Sequence, residues 1–178
     1  MKHEVIISDE FISQNDFKTL YIHRLPIKYS VKVEQFKCKN PEKRYWDQCK
    51  IHIYESGDEI INFNRNYGAP KAIYVLQNNK EFIVTSADYQ CITIVNLTDK
   101  TIESYTNEEA YKFGGGFCPI SFDWDEDDNT LEIYGCVWAC PYGTYYFENI
   151  DLSNPTFDWK NAKYIDDDYE ESDDEDDE

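Results

Sequence analysis

Three cysteines in the second half of the chain have the residue type that binds zinc. Cys136 and Cys140 are separated by three residues, and Cys118 precedes them. A fourth donor such as Cys91, Cys49 or His52 would complete a tetrahedral zinc site. The usual structural site uses Cys-x2-Cys pairs, which are absent here, and residues four apart on one strand lie about 13 Å from each other. Buried structural thiols are therefore the leading interpretation, with zinc binding and disulfide or redox chemistry as alternatives.

Two further patterns lack residues that their chemistry needs. Asp123, Asp125 and Asp127 alternate as in the first half of a calcium loop. Asp128 and Tyr134 stand where such a loop needs a glycine and a bidentate glutamate, so a solvated hairpin turn is favoured. For nucleophilic catalysis the chain has three histidines and no Gly-x-Ser-x-Gly sequence. We therefore expect no enzyme activity and no cofactor.

Short apolar–polar alternations separated by turn residues fill the chain from about residue 19 onward. The clearest single run is 29–36, and the predicted hairpins are 50–63, 73–85, 91–105 and 120–134. These lengths and loops are typical of strands, and only 107–112 offers a helical turn. The predicted fold class is all-β, built from antiparallel meanders that form an incomplete propeller or a sandwich.

Residues 73–105 and 120–152 share one rhythm of strand, polar turn and strand, with a spacing of 49 residues. That period suits four-stranded propeller blades. We expect a single β-rich domain over 1–164, followed by a disordered acidic tail over 165–178. The domain provides roughly three to four blades, too few for most closed rings. Its sheet edges then need cover, so we expect an oligomer or a complex with a partner.

Two motifs in the second half resemble those of a known group of proteins. Residues 117–120 read Phe-Cys-Pro-Ile, and 135–142 read Gly-Cys-Val-Trp-Ala-Cys-Pro-Tyr. With Trp124-Asp125 and the Asn-Thr-Leu of 129–131 between them, they resemble uncharacterised β-propeller-blade-like proteins of bacteria, amoebae and large DNA viruses. The sequence departs from their pattern at Gly143, where an acid is usual, and in the tail. The resemblance implies WD40-like β-blades and brings no activity.

Aromatic residues are concentrated in the same region. They include Trp124, Trp138, Tyr142, Tyr145 and Tyr146. Packing between sheets explains most of them, but neighbouring residues on a strand point to opposite faces. We therefore expect at least one of these rings to lie at a surface that contacts a protein partner.

The formal net charge of −19 is concentrated at the C-terminus, where the last 13 residues hold 11 acidic groups and no basic one. The acidic residues are Asp166, Asp167, Asp168, Glu170, Glu171, Asp173, Asp174, Glu175, Asp176, Asp177 and Glu178. Such a segment cannot bury apolar area, and its charges repel one another into an extended chain. Ser172, followed by three acids, is a predicted site for an acid-directed kinase, which would deepen the charge.

Residues 18–50 are basic by contrast, with nine basic and three acidic residues. The tail could therefore maintain solubility, capture a basic partner, or fold back onto this segment. Direct nucleic-acid binding is disfavoured by the overall negative charge.

The leading functional hypothesis is a non-catalytic protein-interaction module within a larger assembly. The alternatives are an acidic-tail electrostatic binder or chaperone of basic proteins such as histones, and a zinc-dependent activity. No apolar run approaches the roughly 18–20 residues that span a bilayer, and the N-terminal apolar stretch is too short for a signal peptide. We therefore expect a reducing compartment, the cytoplasm, with the nucleus or a virion as alternatives.

Overall fold

The computed structural model describes residues 5–43, 45–107, 116–137 and 142–167, and every regular element in them is a β-strand. The strands are β1 (Phe11–Thr19), β2 (Tyr29–Cys38), β3 (Gln48–Glu55), β4 (Asp58–Arg65), β5 (Ile73–Gln77), β6 (Lys80–Thr85), β7 (Ile92–Asn96), β8 (Thr101–Tyr105), β9 (Phe117–Asp125), β10 (Thr130–Val137), β11 (Tyr142–Phe147) and β12 (Lys163–Asp166). Within those ranges, no helix has the length and apolar character needed to cross a membrane.

The strands form three four-stranded antiparallel sheets, each in chain order. Sheet A contains β1 to β4, sheet B contains β5 to β8, and sheet C contains β9 to β12. The predicted all-β class with antiparallel meanders is confirmed, and both propeller-like and sandwich-like stacks are compatible with it. The 49-residue spacing aligns β6 with β10, and each is the second strand of its meander.

Two of the hairpins turn through loops of two residues. Ser56-Gly57 joins β3 to β4, and Asn78-Asn79 joins β5 to β6. All four residues have positive φ angles, between 51° and 99°. A type I′ turn needs positive φ at both central positions, and glycine and asparagine adopt it at low cost. The predicted hairpins at these two places are confirmed, with their turns where the polar residues indicated.

The sequence patterns missed two strands and extended a third too far. β1 is largely exposed, so it shows no apolar alternation, and its pairing with β2 shifts register between Ser13 and Phe17. β12 has four residues, too few for a pattern. The predicted unit 120–152 implies a last strand that continues to Leu152, but β11 ends at Phe147, and Asn149 with a φ of 52° follows in the turn.

The ordered fold continues past the predicted domain boundary at residue 164. β12 pairs with β11 through Ile165 and Asp166, so these two residues belong to sheet C and not to the tail. Residues 168–178, with Ser172, lie outside the described part of the chain, as do 108–112 of the predicted helical turn.

Sheet B is buried on both faces, because sheets A and C cover it from opposite sides. Phe82 and Val84 pack with Leu131 and Ile133 of sheet C in one core. Ile83, between them on β6, packs with Ile53 and other residues of sheet A in a second core. Successive side chains of a strand point to opposite faces, so one continuous apolar run serves both cores. Burying each such side chain contributes roughly 1.5–3 kcal/mol.

Glu81 connects sheets A and B beside the second core. Its carboxylate accepts hydrogen bonds from Lys28 Nζ at 2.7 Å, Tyr29 Oη at 2.9 Å and Tyr74 Oη at 3.2 Å. Burial raises the pKa of Glu81, but the hydrogen bonds from Lys28 and the two tyrosines outweigh it and leave the pKa below its ordinary value. The charge of Glu81 is thus stabilised where the two sheets meet.

Gln77 connects sheets B and C in the same way with a neutral group. Its Nε2 donates to Asn129 Oδ1 at 2.9 Å and to the Ile150 carbonyl at 2.8 Å. Its Oε1 accepts from the Leu152 amide at 2.8 Å. The side chain is 6% exposed, so these backbone groups depend on it for their hydrogen bonds.

Replacing Gln77 by alanine leaves the Leu152 amide and Ile150 carbonyl without partners. We expect Gln77→Ala to lower the free energy of unfolding by about 1–3 kcal/mol, measured by urea denaturation. Gln14→Ala is the matched control, because Gln14 is exposed and bonds only the Ile12 carbonyl of its own strand. Equal stabilities of the two variants would contradict a bridging role for Gln77.

Candidate functional site: an aromatic cleft

A cleft of about 900 Å³ opens along one edge shared by the three sheets. In a meander, odd-numbered strands begin at the edge where even-numbered strands end. The lining accordingly comes from the starts of β1, β3, β9 and β11, from the ends of β4 and β10, and from the loops at that edge. Its aromatic members, which define the aromatic cleft, are Phe11, Tyr45, Trp46, Tyr67, Tyr89 and Tyr142.

The rings of the cleft contact one another in two groups. Trp46 lies 5.0 Å from Tyr67, which lies 6.4 Å from Tyr89, between ring centroids. Phe11 and Tyr45 form the second group, with their ring centroids 6.2 Å apart. Trp46 is 70% exposed. Exposed aromatic rings that contact one another present apolar area to a ligand. Because these contacts already restrict the rings, little conformational entropy is lost when a ligand binds.

Arg65 places a buried positive charge in the cleft wall. The side chain is 5% exposed, and burial lowers its pKa. Nε donates to the Gly68 carbonyl at 2.6 Å, and Nη1 donates to the Ser86 carbonyl and to Ser86 Oγ. These bonds join the end of β4 to the β6–β7 loop and use two of the three guanidinium nitrogens. Nη2 has no such bond within the described residues, and Arg65 lines the cleft, so this nitrogen is the candidate donor for an anionic group.

Two amide oxygens of the cleft wall also have no hydrogen-bond partner within the described residues. They are Gln48 Oε1 and Asn66 Oδ1. The orientation of Asn66 is set by its Nδ2, which donates to Asp88 Oδ2 at 2.9 Å, because a carboxylate accepts and does not donate. Both oxygens are buried, so a ligand that brings N–H groups, as a peptide backbone does, can reach them only when the side chain turns outward, which for Asn66 breaks the bond to Asp88.

Cys118 and Cys136 are directly paired across β9 and β10, and both line the cleft. Cys140 lies outside the described residues. No group of three His, Cys, Asp or Glu side chains in the described part of the chain could hold a metal ion. Cys49 is buried on another strand, and burial raises the pKa of its thiol to about 12. It donates to the Tyr67 carbonyl at 3.3 Å, which is a structural role.

The aromatic residues singled out in the sequence are dispersed by the fold. Trp124 and Tyr145 pack against the core between sheets B and C, and Tyr145 lies 5.1 Å from Trp159. Tyr146 on the next position carries Lys163 Nζ 5.1 Å above its ring. Tyr142 alone of the described four lines the cleft, and Trp138 lies outside the described residues.

Sequence reasoning missed most of the cleft. Tyr45 and Trp46 lie in the β2–β3 connection, Tyr67 follows β4, and Tyr89 lies in the β6–β7 loop. Their position in the sequence could have identified them, because large aromatic residues in polar connecting segments often indicate a binding surface. The topology of the three sheets decides which of those segments lie together, and that topology could not be predicted from the residues alone.

Of the aspartates in the calcium-like pattern, Asp123 lies within β9, Asp125 ends it, and Asp127 lies in the β9–β10 turn. Asp125 Oδ1 accepts from the backbone amides of Asp127 at 2.9 Å and Asp128 at 3.4 Å. An aspartate that accepts hydrogen bonds from the amides of the adjoining turn is typical of a solvated hairpin, which is the structure predicted for this segment.

A second polar cluster lies on the face of sheet A that points away from sheet B, with one residue from each strand. His52 Nδ1 is 2.7 Å from Glu59 Oε2, and Nε2 is 3.2 Å from Glu34 Oε2. Ser13 Oγ donates to Glu34 Oε1 at 2.5 Å. A catalytic serine would donate to the imidazole. Here the hydroxyl donates to a carboxylate and both ring nitrogens face carboxylates, so the cluster joins the four strands.

This cluster makes the stability of the protein depend on pH in the acid range. Hydrogen bonds from His52 and Asn62 lower the pKa of Glu59 from its ordinary value of 4.5. At pH values between the pKa of Glu59 in the folded protein and 4.5, the unfolded chain binds more protons than the folded one. The stabilisation from Glu59 is therefore fully present above pH 4.5 and is lost as the pH falls through this range. We expect Glu59→Gln to flatten this loss, measured as urea midpoints between pH 7 and pH 3.

Glu148→Gln is the control, because Glu148 is an exposed residue after β11. It should keep the wild-type pH dependence. If Glu59→Gln and the wild type lose stability in parallel on acidification, the His52 cluster is not the cause.

Comparison with known proteins finds no match: no family model, no curated protein and no solved structure matches this chain. The resemblance to propeller-blade-like proteins therefore remains a prediction.

Position 143 requires a glycine because of the strand beside it. Gly143 pairs with Asp166 of β12. A Cβ atom at position 143 would collide with the Ile165 carbonyl and lie 2.6 Å from the Tyr164 ring. A side chain there is therefore incompatible with the pairing of β12 on β11.

Proposed function

We propose that this protein is a non-catalytic protein-interaction module that holds a segment of a partner protein in the aromatic cleft. The observation that supports the proposal is the set of exposed tyrosine and tryptophan rings around a buried arginine at the common edge of three sheets. Tyr, Trp and Arg are the residues in which binding energy concentrates at protein interfaces.

The size and chemistry of the cleft suit an extended peptide. A volume of about 900 Å³ lies in the usual range of ligand sites, roughly 300–1,000 Å³. The rings supply apolar contact area, while Arg65 Nη2 and the two unpartnered amide oxygens supply polar contacts. A peptide backbone alternates donors and acceptors and can use both kinds of group.

Two buried thiols and the histidine of sheet A are poorly placed for chemistry. Burial raises the pKa of the thiols of Cys49 and Cys91, which disfavours the reactive thiolate. The imidazole of His52 is engaged by two carboxylates. Binding without catalysis is therefore the function that the arrangement favours.

Removing the most exposed ring of the cleft should weaken partner binding without unfolding the protein. We expect Trp46→Ala to lower recovery of specific partners at least tenfold, because hot-spot truncation costs about 2 kcal/mol or more. The measurement is quantitative affinity purification from native cells with wild type, Trp46→Ala and Tyr21→Ala.

Tyr21 is the matched control, since it is an 83% exposed aromatic residue in the β1–β2 loop, at the opposite edge of sheet A. Partners should be retained by Tyr21→Ala. Equal recovery by all three proteins, or equal loss from both variants, would count against the cleft as the contact surface.

A further inference from the structure

We propose that the C-terminal acidic segment, residues 168–178, is an intramolecular ligand of the aromatic cleft and competes there with the partner. The inference rests on the proposed function, because it takes the cleft to be a peptide-binding surface. It assigns a role to the acidic tail, which the described fold does not use.

The position at which the described chain ends supports this assignment. The Asp167 amide donates to the Tyr142 carbonyl at 3.0 Å. Tyr142 lines the cleft, so the described chain ends beside the cleft wall. Eleven residues follow Asp167, and an extended segment of that length reaches up to about 36 Å. No long connection is needed for the segment to enter the cleft.

The chemistry of the segment complements that of the cleft. Residues 168–178 contain nine acidic residues and Tyr169. A carboxylate can accept from Arg65 Nη2, and a tyrosine ring can join the stacked aromatic rings.

Basic side chains lie beside the same wall. Lys39 Nζ donates to the Asp9 carbonyl at 2.6 Å, and Lys43 Nζ lies 2.7 Å from Glu10 Oε1. Both belong to the β2–β3 connection, which also contributes Tyr45 and Trp46 to the cleft. Lys43 is already paired with Glu10 of the cleft lining, so Lys39 is the lysine that can attract an acidic segment, over the short distance at which charges are not yet screened by salt.

Because the segment is tethered to the cleft wall, even a weak affinity is enough for it to occupy the cleft in a large fraction of the molecules. A segment joined directly to the cleft wall has an effective concentration on the order of millimolar. An intrinsic dissociation constant of about 1 mM would then fill the cleft in roughly half of the molecules. The partner must displace the segment, so it should itself be an extended acidic peptide with an aromatic residue.

Trp46 reports occupancy of the cleft in the full-length protein. The protein is labelled with 5-fluorotryptophan, and the Trp46 resonance in the ¹⁹F spectrum is assigned by its loss in Trp46→Phe. The test variant keeps the full length but replaces Asp168, Tyr169, Glu170 and Glu171 by Asn, Ser, Gln and Gln. We expect the Trp46 resonance to move in this variant, and to return when a synthetic peptide of residues 168–178 is added.

The matched control neutralises acids of another exposed segment, Glu126→Gln, Asp127→Asn and Asp128→Asn in the β9–β10 turn. It should leave the Trp46 resonance at its wild-type position. An unchanged resonance in the tail variant, or an equal change in the control, would overturn the proposal. A change that depends on protein concentration would overturn it too, because the occupant would then be the tail of a second copy.

Two outcomes distinguish binding of the tail in the cleft from binding of a partner there. If the tail variant leaves Trp46 unchanged while partner recovery still depends on Trp46, the cleft binds partners and the tail is not its ligand. If partner recovery is also indifferent to Trp46, both proposals fail.

Discussion

The two-sided burial of sheet B is the constraint on which the rest of the structure depends. Phe82 and Val84 face sheet C, while Ile83 and Val95 face sheet A. Each of these side chains is at most 2% exposed. If either outer sheet came away, a complete apolar face of sheet B would meet water, at about 25 cal/mol for each Å² exposed. Sheet B is therefore stable only between sheets A and C. Glu81 provides a polar link to sheet A, and Gln77 provides one to sheet C.

This order of sheets also creates the cleft. Three meanders that run in the same sense place the same kind of strand end at one edge, where strand ends of sheets A and C and the β6–β7 loop of sheet B line one cleft. The outer faces of the stack are polar, with Lys32 and His52 on sheet A and Tyr146 beneath Lys163 on sheet C. The cleft thus gathers several exposed aromatic rings in one place, whereas Phe17 and Tyr146 are separate rings on the broad faces.

The sequence predicted the elements with strong local signals and missed what depends on long-range pairing. The Asn78-Asn79 hairpin and the run Phe82–Val84 were recognisable, because turn chemistry and apolar runs are properties of neighbouring residues. β1 was not recognisable, since it is held mainly by pairing with β2 and buries little. Trp46 and Tyr142 are far apart in sequence, and only the stacking of three sheets brings them to one cleft. Tyr145 was identified as a candidate contact residue, but its register on β11 directs it to the core.

Native-state hydrogen exchange tests the central claim most directly, because it measures the free energy of opening at each amide. If sheet B holds the outer sheets together, the amides of Ile51, Val84 and Ile133, one in each sheet, should exchange only through global unfolding and with the same opening free energy. An opening free energy for Ile51 or Ile133 well below that of Val84 would show that an outer sheet separates from sheet B while the rest stays folded. That result would contradict the account.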